Sequence, residues 1–290
     1  MEPLRNPEAA WSRALGRTID RAEIERRIGP TSEPIEVLSG GIANVNVRVG
    51  DRVLRFKDPS TLAKEARLLA RPWRSCRTPA VLATGDDFIV LEYLALRPLP
   101  PTAGAAVGRA LAEIHADTYP EIGFLAGDLT IAGTFPEGPP TFCGYVRAML
   151  REAEPFVDPS LPPRIRAHLD AIEDEAIASY DGAVLTHGDF KVANLHVDDA
   201  GALVILDWEF AWAGPRLFDV AQLLRWHPPE PFVRDFAAAY VAAGGRLVPD
   251  WRRMAAAIDL GHLLAVYAHN PIMRTSDDIP RRIDETLAAG

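Results

Sequence analysis

The sequence predicts an α+β chain of two lobes, a small antiparallel-sheet lobe followed by a mainly helical one. Three observations carry this reading. Five strand-like runs and one helix fall between residues 35 and 93, whereas from Ala103 onward the pattern turns helical. A Pro-rich connector, 95–101, lies between the two regions. Charge changes at the same place: residues 1–94 hold 15 Lys+Arg against 13 Asp+Glu, a net of +2, and residues 95–290 hold 16 against 27, a net of −11. The predicted organisation is a first lobe over 1–94, with a helical extension over 1–30, and a helical second lobe over 95–290.

The elements follow in order. Residues 8–28 are polar, rich in Arg and Glu, and predict a helix ending at Gly29-Pro30. Strands are expected at 35–39, 45–49 and 53–57, the last two joined by a hairpin turn at Gly50-Asp51. Ser60 or Thr61 is placed to cap a helix whose apolar positions are Leu62, Ala66, Leu69 and Ala70. Two more strands, 79–84 and 88–93, flank the turn Gly85-Asp86-Asp87. Helices are expected at 103–117, 141–153, 163–179, 217–226, 231–243 and 251–268, and short strands at 183–186, 195–198 and 203–206. The stretch 119–140 holds several Gly and Pro without a period and is expected to be loop.

Composition excludes several classes. With 290 residues and 48% hydrophobic content the chain can bury one or two ordinary cores. No apolar run approaches the ~18 residues of a membrane span, and Met1–Trp11 has no apolar signal core. The two cysteines, Cys76 and Cys143, make neither a disulfide framework nor a zinc cluster, so a reducing cytoplasm is expected. A net charge of −9 argues against a broad nucleic-acid surface. Oligomeric state is left open.

The chemistry concentrates in Leu185-Thr186-His187-Gly188-Asp189-Phe190-Lys191-Val192-Ala193-Asn194 and Ile205-Leu206-Asp207-Trp208-Glu209. Asp189 and Asn194 are five residues apart, and Asp207 follows thirteen later, each beside a strand-like run. Such a set can aim a hydroxyl and hold Mg²⁺ against the phosphates of ATP. A carboxylate on a rigid loop positions the hydroxyl and takes its proton. An amide oxygen and a carboxylate are the hard donors that Mg²⁺ prefers. Of the three lysines, Lys57, Lys64 and Lys191, the first and last sit in segments suited to handling phosphate. Arg55 and Lys57 share one face of their strand. The paired glycines Gly40 and Gly41 after Ser39 let backbone N–H groups approach a phosphate closely, although a plain tight turn explains them equally.

The spacing His-x-Asp-x-x-x-x-Asn with a later strand-end Asp resembles the catalytic and metal loops of the kinase superfamily. The His187-Gly188-Asp189 and Asp207-Trp208-Glu209 variants look like the aminoglycoside phosphotransferase and choline kinase branch. The resemblance runs from about residue 35 to 270 and implies a protein-kinase-like fold that moves the γ-phosphate of ATP to a hydroxyl of a small molecule. It implies Asp189 as catalytic, Asn194 and Asp207 as metal ligands, and Ser39, Gly40, Gly41 and Lys191 at the phosphates. It implies a basic strand residue, Arg55 or Lys57, paired to Glu65. Glu92 and Leu94 would flank the adenine, His187 would support the loop, and Asp219 would brace it. His115 is expected to pack rather than react, and His262 and His269, seven apart, to be core or surface residues. Trp208, Trp212, Trp226 and His227 follow the metal Asp near the expected acceptor pocket, with core packing the plainer role for the tryptophans. Glu209 is the residue expected to recognise a cationic acceptor. In place of the frequent Gly-Asp-Pro before the bracing Asp, this chain has Gly214-Pro215-Arg216.

Overall fold

The computed structural model describes residues 4, 20–38, 45–56, 59–134, 142–271 and 273–289. Ser39, Gly40, Gly41 and Lys57, singled out above, lie outside the described residues.

The first lobe carries helix α1 (Arg21–Ile28), strands β1 (Ile35–Leu38), β2 (Asn46–Val49) and β3 (Arg52–Phe56), helix α2 (Pro59–Leu69), and strands β4 (Val81–Thr84) and β5 (Phe88–Glu92). The strands form one antiparallel sheet in the order β1-β2-β3-β5-β4. Alternation along β2, β3 and β5 sends Val47, Val49, Leu54 and Val90 to one face, where they bury Ile24 of α1. Two expectations shift here. Asp20 is extended and caps α1 by accepting from the Ala22 N–H at 3.2 Å, so α1 starts at Arg21, and residues 8–19 of the expected helix lie outside the described residues. Ser60 and Thr61 lie inside α2, which begins at Pro59, a residue whose fixed φ suits a first helical turn.

The second lobe begins with β6 (Arg97–Pro98), then α3 (Gly104–Ile114), β7 (Thr118–Tyr119), β8 (Gly123–Leu125), β9 (Ile131–Thr134), α4 (Phe142–Ala153) and α5 (Leu161–Ser179). After these come β10 (Ala183–Thr186), β11 (Leu195–Val197), β12 (Leu203–Ile205), β13 (Trp212–Pro215), α6 (Leu217–Leu224), α7 (Glu230–Ala242), α8 (Trp251–His269) and α9 (Asp278–Ala289). The lobe's core is one continuous apolar cluster. Helix α3 lies hard against α7, because a Cβ on Gly104 or Gly108 would stand 2.3 or 2.4 Å from the carbonyl of Phe232 or Phe236.

The region 119–140 is not all loop. β8 and β9 pair there, and β8 joins β13 in a sheet ordered β7-β10-β13-β8-β9. These strands are three or four residues long, too short for a sequence pattern to mark; β8 is defined by pairing with β13 and β9 by pairing with β8. The connector 95–101 likewise contains β6, which extends β11 and β12 into a second small sheet. Helix α9 lies beyond the elements predicted above; it buries Ile279 and Ile283, one helical turn apart.

Candidate active site

Strand β10 delivers the segment His187–Asn194 at the edge of the second lobe, and β11–β12 bring Asp207 beside it. Leu195 and Ile205 are directly opposed, and the Leu206 N–H donates to the Asn194 carbonyl at 3.0 Å. Residues thirteen apart in sequence thereby become neighbours.

The loop is braced from below by α6. Asp219 Oδ2 accepts from the His187 N–H at 2.7 Å, and Oδ1 from the Gly188 N–H at 2.9 Å. His115, fully buried, donates from Nε2 to the same Oδ2 at 3.2 Å, while its Nδ1 faces the Tyr240 hydroxyl at 2.7 Å. Burial pushes the His115 imidazole below its ordinary pKa, and Asp219 pulls the other way. Gln222, one turn after Asp219, holds both ends of the next step: Phe190 N–H donates to its Oε1 at 2.7 Å, and its Nε2 donates to the Gly188 carbonyl at 2.8 Å. Sequence reasoning missed Gln222, a lone amide in an apolar helical stretch.

Gly188 has φ +79°, and a Cβ there would stand 2.1 Å from the Phe210 carbonyl oxygen. Only glycine fits both conditions. His187 Nδ1 accepts from the Asp189 N–H at 3.2 Å, which leaves the proton on Nε2, donated to the Leu206 carbonyl at 2.9 Å. His187 therefore ties the Asp189 loop to the residue preceding Asp207.

Asn194 donates from Nδ2 to both the carbonyl and Oδ2 of Asp189, at 2.9 and 2.8 Å. That orientation leaves its Oδ1 to offer a cation, which fits a Mg²⁺ site. Lys191 Nζ lies 3.1 Å from Asp189 Oδ1. Asp207 adopts a left-handed conformation, φ 62° and ψ 60°, unusual for a residue with a side chain and held here by its surroundings.

Arg55 closes the site from the first lobe. Its Nη1 lies 2.8 Å from Glu65 Oε1 and 2.5 Å from Asp207 Oδ1, and its Nε donates to Asn46 Oδ1 at 2.8 Å. Arg55 and Glu65 are both buried. Burial opposes the guanidinium charge, yet Asp207, Glu65 and Glu209 outweigh it and push the pKa up. Among the described residues of β3, Arg55 is the basic side chain brought to Glu65 and Asp207.

The other residues singled out have these surroundings. Glu209 is buried, and its charge acts on Arg55. The Glu92 carboxylate accepts from Arg77 at 2.6 Å and from the Ala80 N–H at 3.3 Å, while Leu94 stands half-buried at the start of the connector. Trp208 stacks on Trp73 at 4.9 Å, Trp212 packs edge-on to Phe218 at 5.1 Å, and Trp226 is buried. His262 meets Gln222, and His269 and His227 pair with Glu152 and Glu285. Phe210 is the large apolar side chain left exposed beside Gly188.

An antiparallel lobe set over a helical one, with paired acidic loops at their junction, is the architecture of kinase-like phosphotransferases. Residues 34–257 match the phosphotransferase enzyme family (APH), and the chain belongs to that family of small-molecule kinases. No curated protein matches the chain. Solved structures share the fold at low identity. A choline/ethanolamine kinase family protein from Mesorhizobium loti is 18% identical with a TM-score of 0.66, over 93% of this chain and 91% of that one. Aminoglycoside phosphotransferase APH(4)-Ia, as a thermostable mutant with ADP and hygromycin B, is 18% identical with a TM-score of 0.66, over 93% and 98%. A GDP and kanamycin complex of the aminoglycoside phosphotransferase APH(2")-IIia is 20% identical with a TM-score of 0.68, over 93% and 98%.

Proposed function

We propose that the protein transfers the γ-phosphate of ATP to a hydroxyl of a small, amine-bearing molecule, with Asp189 as the catalytic residue. The observation that carries this reading is the single connected set of Asp189, Asn194, Asp207, Arg55 and Glu65. Asp189 orients the acceptor hydroxyl and takes its proton as the new O–P bond forms. The bond from the γ-phosphorus to the β-phosphate oxygen breaks, and ADP leaves. Asn194 Oδ1 and the Asp207 carboxylate would hold Mg²⁺, which when bound neutralises charge on the phosphates. Arg55, held by Glu65, grips the remaining phosphates, and Lys191 turns from Asp189 to the transferred group. The backbone around Glu92 and Leu94 is offered to the adenine. Lobes 1–94 and 95–290 divide nucleotide and acceptor between them. Ser39, Gly40 and Gly41 belong to the phosphate side of this reading.

The acidic second lobe, net −11, favours a cationic acceptor such as an aminoglycoside or an amino alcohol. The same chemistry serves choline, homoserine, a sugar or an amino sugar. The test is incubation with Mg·ATP and a pooled panel of aminoglycosides, other antibiotics, amino alcohols, amino acids and sugars, read by mass spectrometry. A phosphorylated amine supports the proposal. A phosphorylated neutral sugar overturns the acceptor class, and ATP binding without any product across the panel favours a catalytically silent nucleotide-binding protein.

A further inference from the structure

Helix α2 carries two adjacent charged residues that are both buried, Lys64 and Glu65. Neighbours on a helix point about 100° apart, so the two side chains serve different lobes. Glu65 reaches Arg55 on the sheet at 2.8 Å. Lys64 reaches across to the second lobe, where its Nζ donates to the Ala211 carbonyl at 2.7 Å. Ala211 ends the short 3₁₀ turn Trp208–Phe210, whose first flanking residue is the left-handed Asp207. The Ala211 N–H in turn donates to the Trp208 carbonyl at 3.2 Å. The other end of that turn is held from the same side, because Trp208 stacks on Trp73, just beyond α2, with ring planes 17° apart. A closed circuit results, running from Arg55 to Glu65, through α2 to Lys64, across to Ala211, back along the turn to Asp207, and from Asp207 to Arg55 at 2.5 Å.

We propose that Lys64 is a positioning residue, which clamps the far end of the Asp207 turn to α2 and so fixes Asp207 relative to Arg55. This rests on the functional reading above for its catalytic consequence, but not for the clamp itself. A buried ammonium is costly to place, and an apolar side chain would fill the site without that cost. Its position here gives α2 and the Asp207 turn one shared anchor at the Ala211 carbonyl. Burial of the ammonium alone would cost stability, whereas a donor aimed at the Ala211 carbonyl fixes geometry.

The test compares the full-length protein with Lys64→Met and Lys64→Arg. Hydrogen–deuterium exchange without ligand is expected to rise about tenfold in segment 206–212 of Lys64→Met, with segments elsewhere unchanged. Titration calorimetry is expected to show Mg·ADP binding weakened about tenfold in Lys64→Met, metal-free ADP binding unchanged, and Lys64→Arg restored most of the way. A uniform rise in exchange, no rise, or Mg·ADP and ADP affinities that fall together would overturn the clamp. If Lys64→Met does not fold, Lys64→Gln carries the same comparison. Wild-type protein that binds no Mg·ADP would overturn the functional reading, and the exchange measurement would then judge the clamp separately.

Discussion

The Arg55 guanidinium lies 2.5 Å from the Asp207 carboxylate and spans from it to Glu65, so one side chain joins the β3 strand, helix α2 and the Asp207 turn. Its planar fork makes three contacts from fixed directions, counting Asn46. A lysine would keep the charge and lose that geometry. Arg55→Lys is therefore expected to raise the KM for ATP about tenfold and to lower kcat less. Steady-state kinetics with varied ATP check this, and an unchanged KM would remove Arg55 from the phosphate grip.

Asp189→Asn preserves shape but removes the proton acceptor. Its Oδ2 neighbour is the Asn194 amide at 2.8 Å, which can still meet an amide oxygen, so the loop is expected to survive. Turnover is expected to fall about 10²- to 10⁴-fold, with Mg·ATP affinity within about threefold of wild type. Full activity in this variant would end the proposed mechanism.

Gly188→Ala meets two obstacles at once, the φ of +79° and the Phe210 carbonyl 2.1 Å from the new Cβ. Backbone must move, since neither partner is the end of a flexible side chain. The variant is expected to lose about 2–4 kcal/mol of stability and most of its activity. Chemical denaturation checks the first part. A stability within about 0.5 kcal/mol of wild type would mean that the turn yields to a Cβ and does not require glycine.

The order of strands and helices was legible because its signals are local. Alternation marks β2, β3 and β5, and the apolar stripe marks α2 and the major helices. The candidate site was legible because Asp189, Asn194 and Asp207 sit at fixed offsets from apolar strand runs. What stayed hidden was set by distant partners. β13 is defined by pairing with β10, and β8 by pairing with β13 in turn, and the burial of Glu209 beside Arg55 depends on the lobes meeting. Alternation put Arg55 and Lys57 on one expected strand face and left both open; the approach of Glu65 and Asp207 brings Arg55 into the site, while Lys57 lies outside the described residues. Gln222 sits in an apolar helical stretch, Leu217–Leu224, where a lone amide gives no sign that it holds the loop between Gly188 and Phe190.

The buried histidine behind the loop makes stability depend on acid. His115 is held neutral, its pKa pushed below the ordinary 6.5 by burial, with Asp219 opposing. His196 and His168 are also lowered, chiefly by burial. Above pH 6.5 the imidazole is neutral whether the chain is folded or unfolded, and the full stability is present. Below that value the unfolded chain binds protons that the folded chain refuses, so stability falls with pH until the folded-state value is reached. Melting temperature is expected to decline steadily from pH 7 to pH 5, and the decline to be shallower in His115→Gln. Because His115 bonds Asp219, which holds the His187 and Gly188 N–H groups, the same variant is expected to lose activity at pH 7.5, where protonation plays no part. A decline as steep in His115→Gln as in wild type would assign the acid sensitivity to His168 and His196 instead.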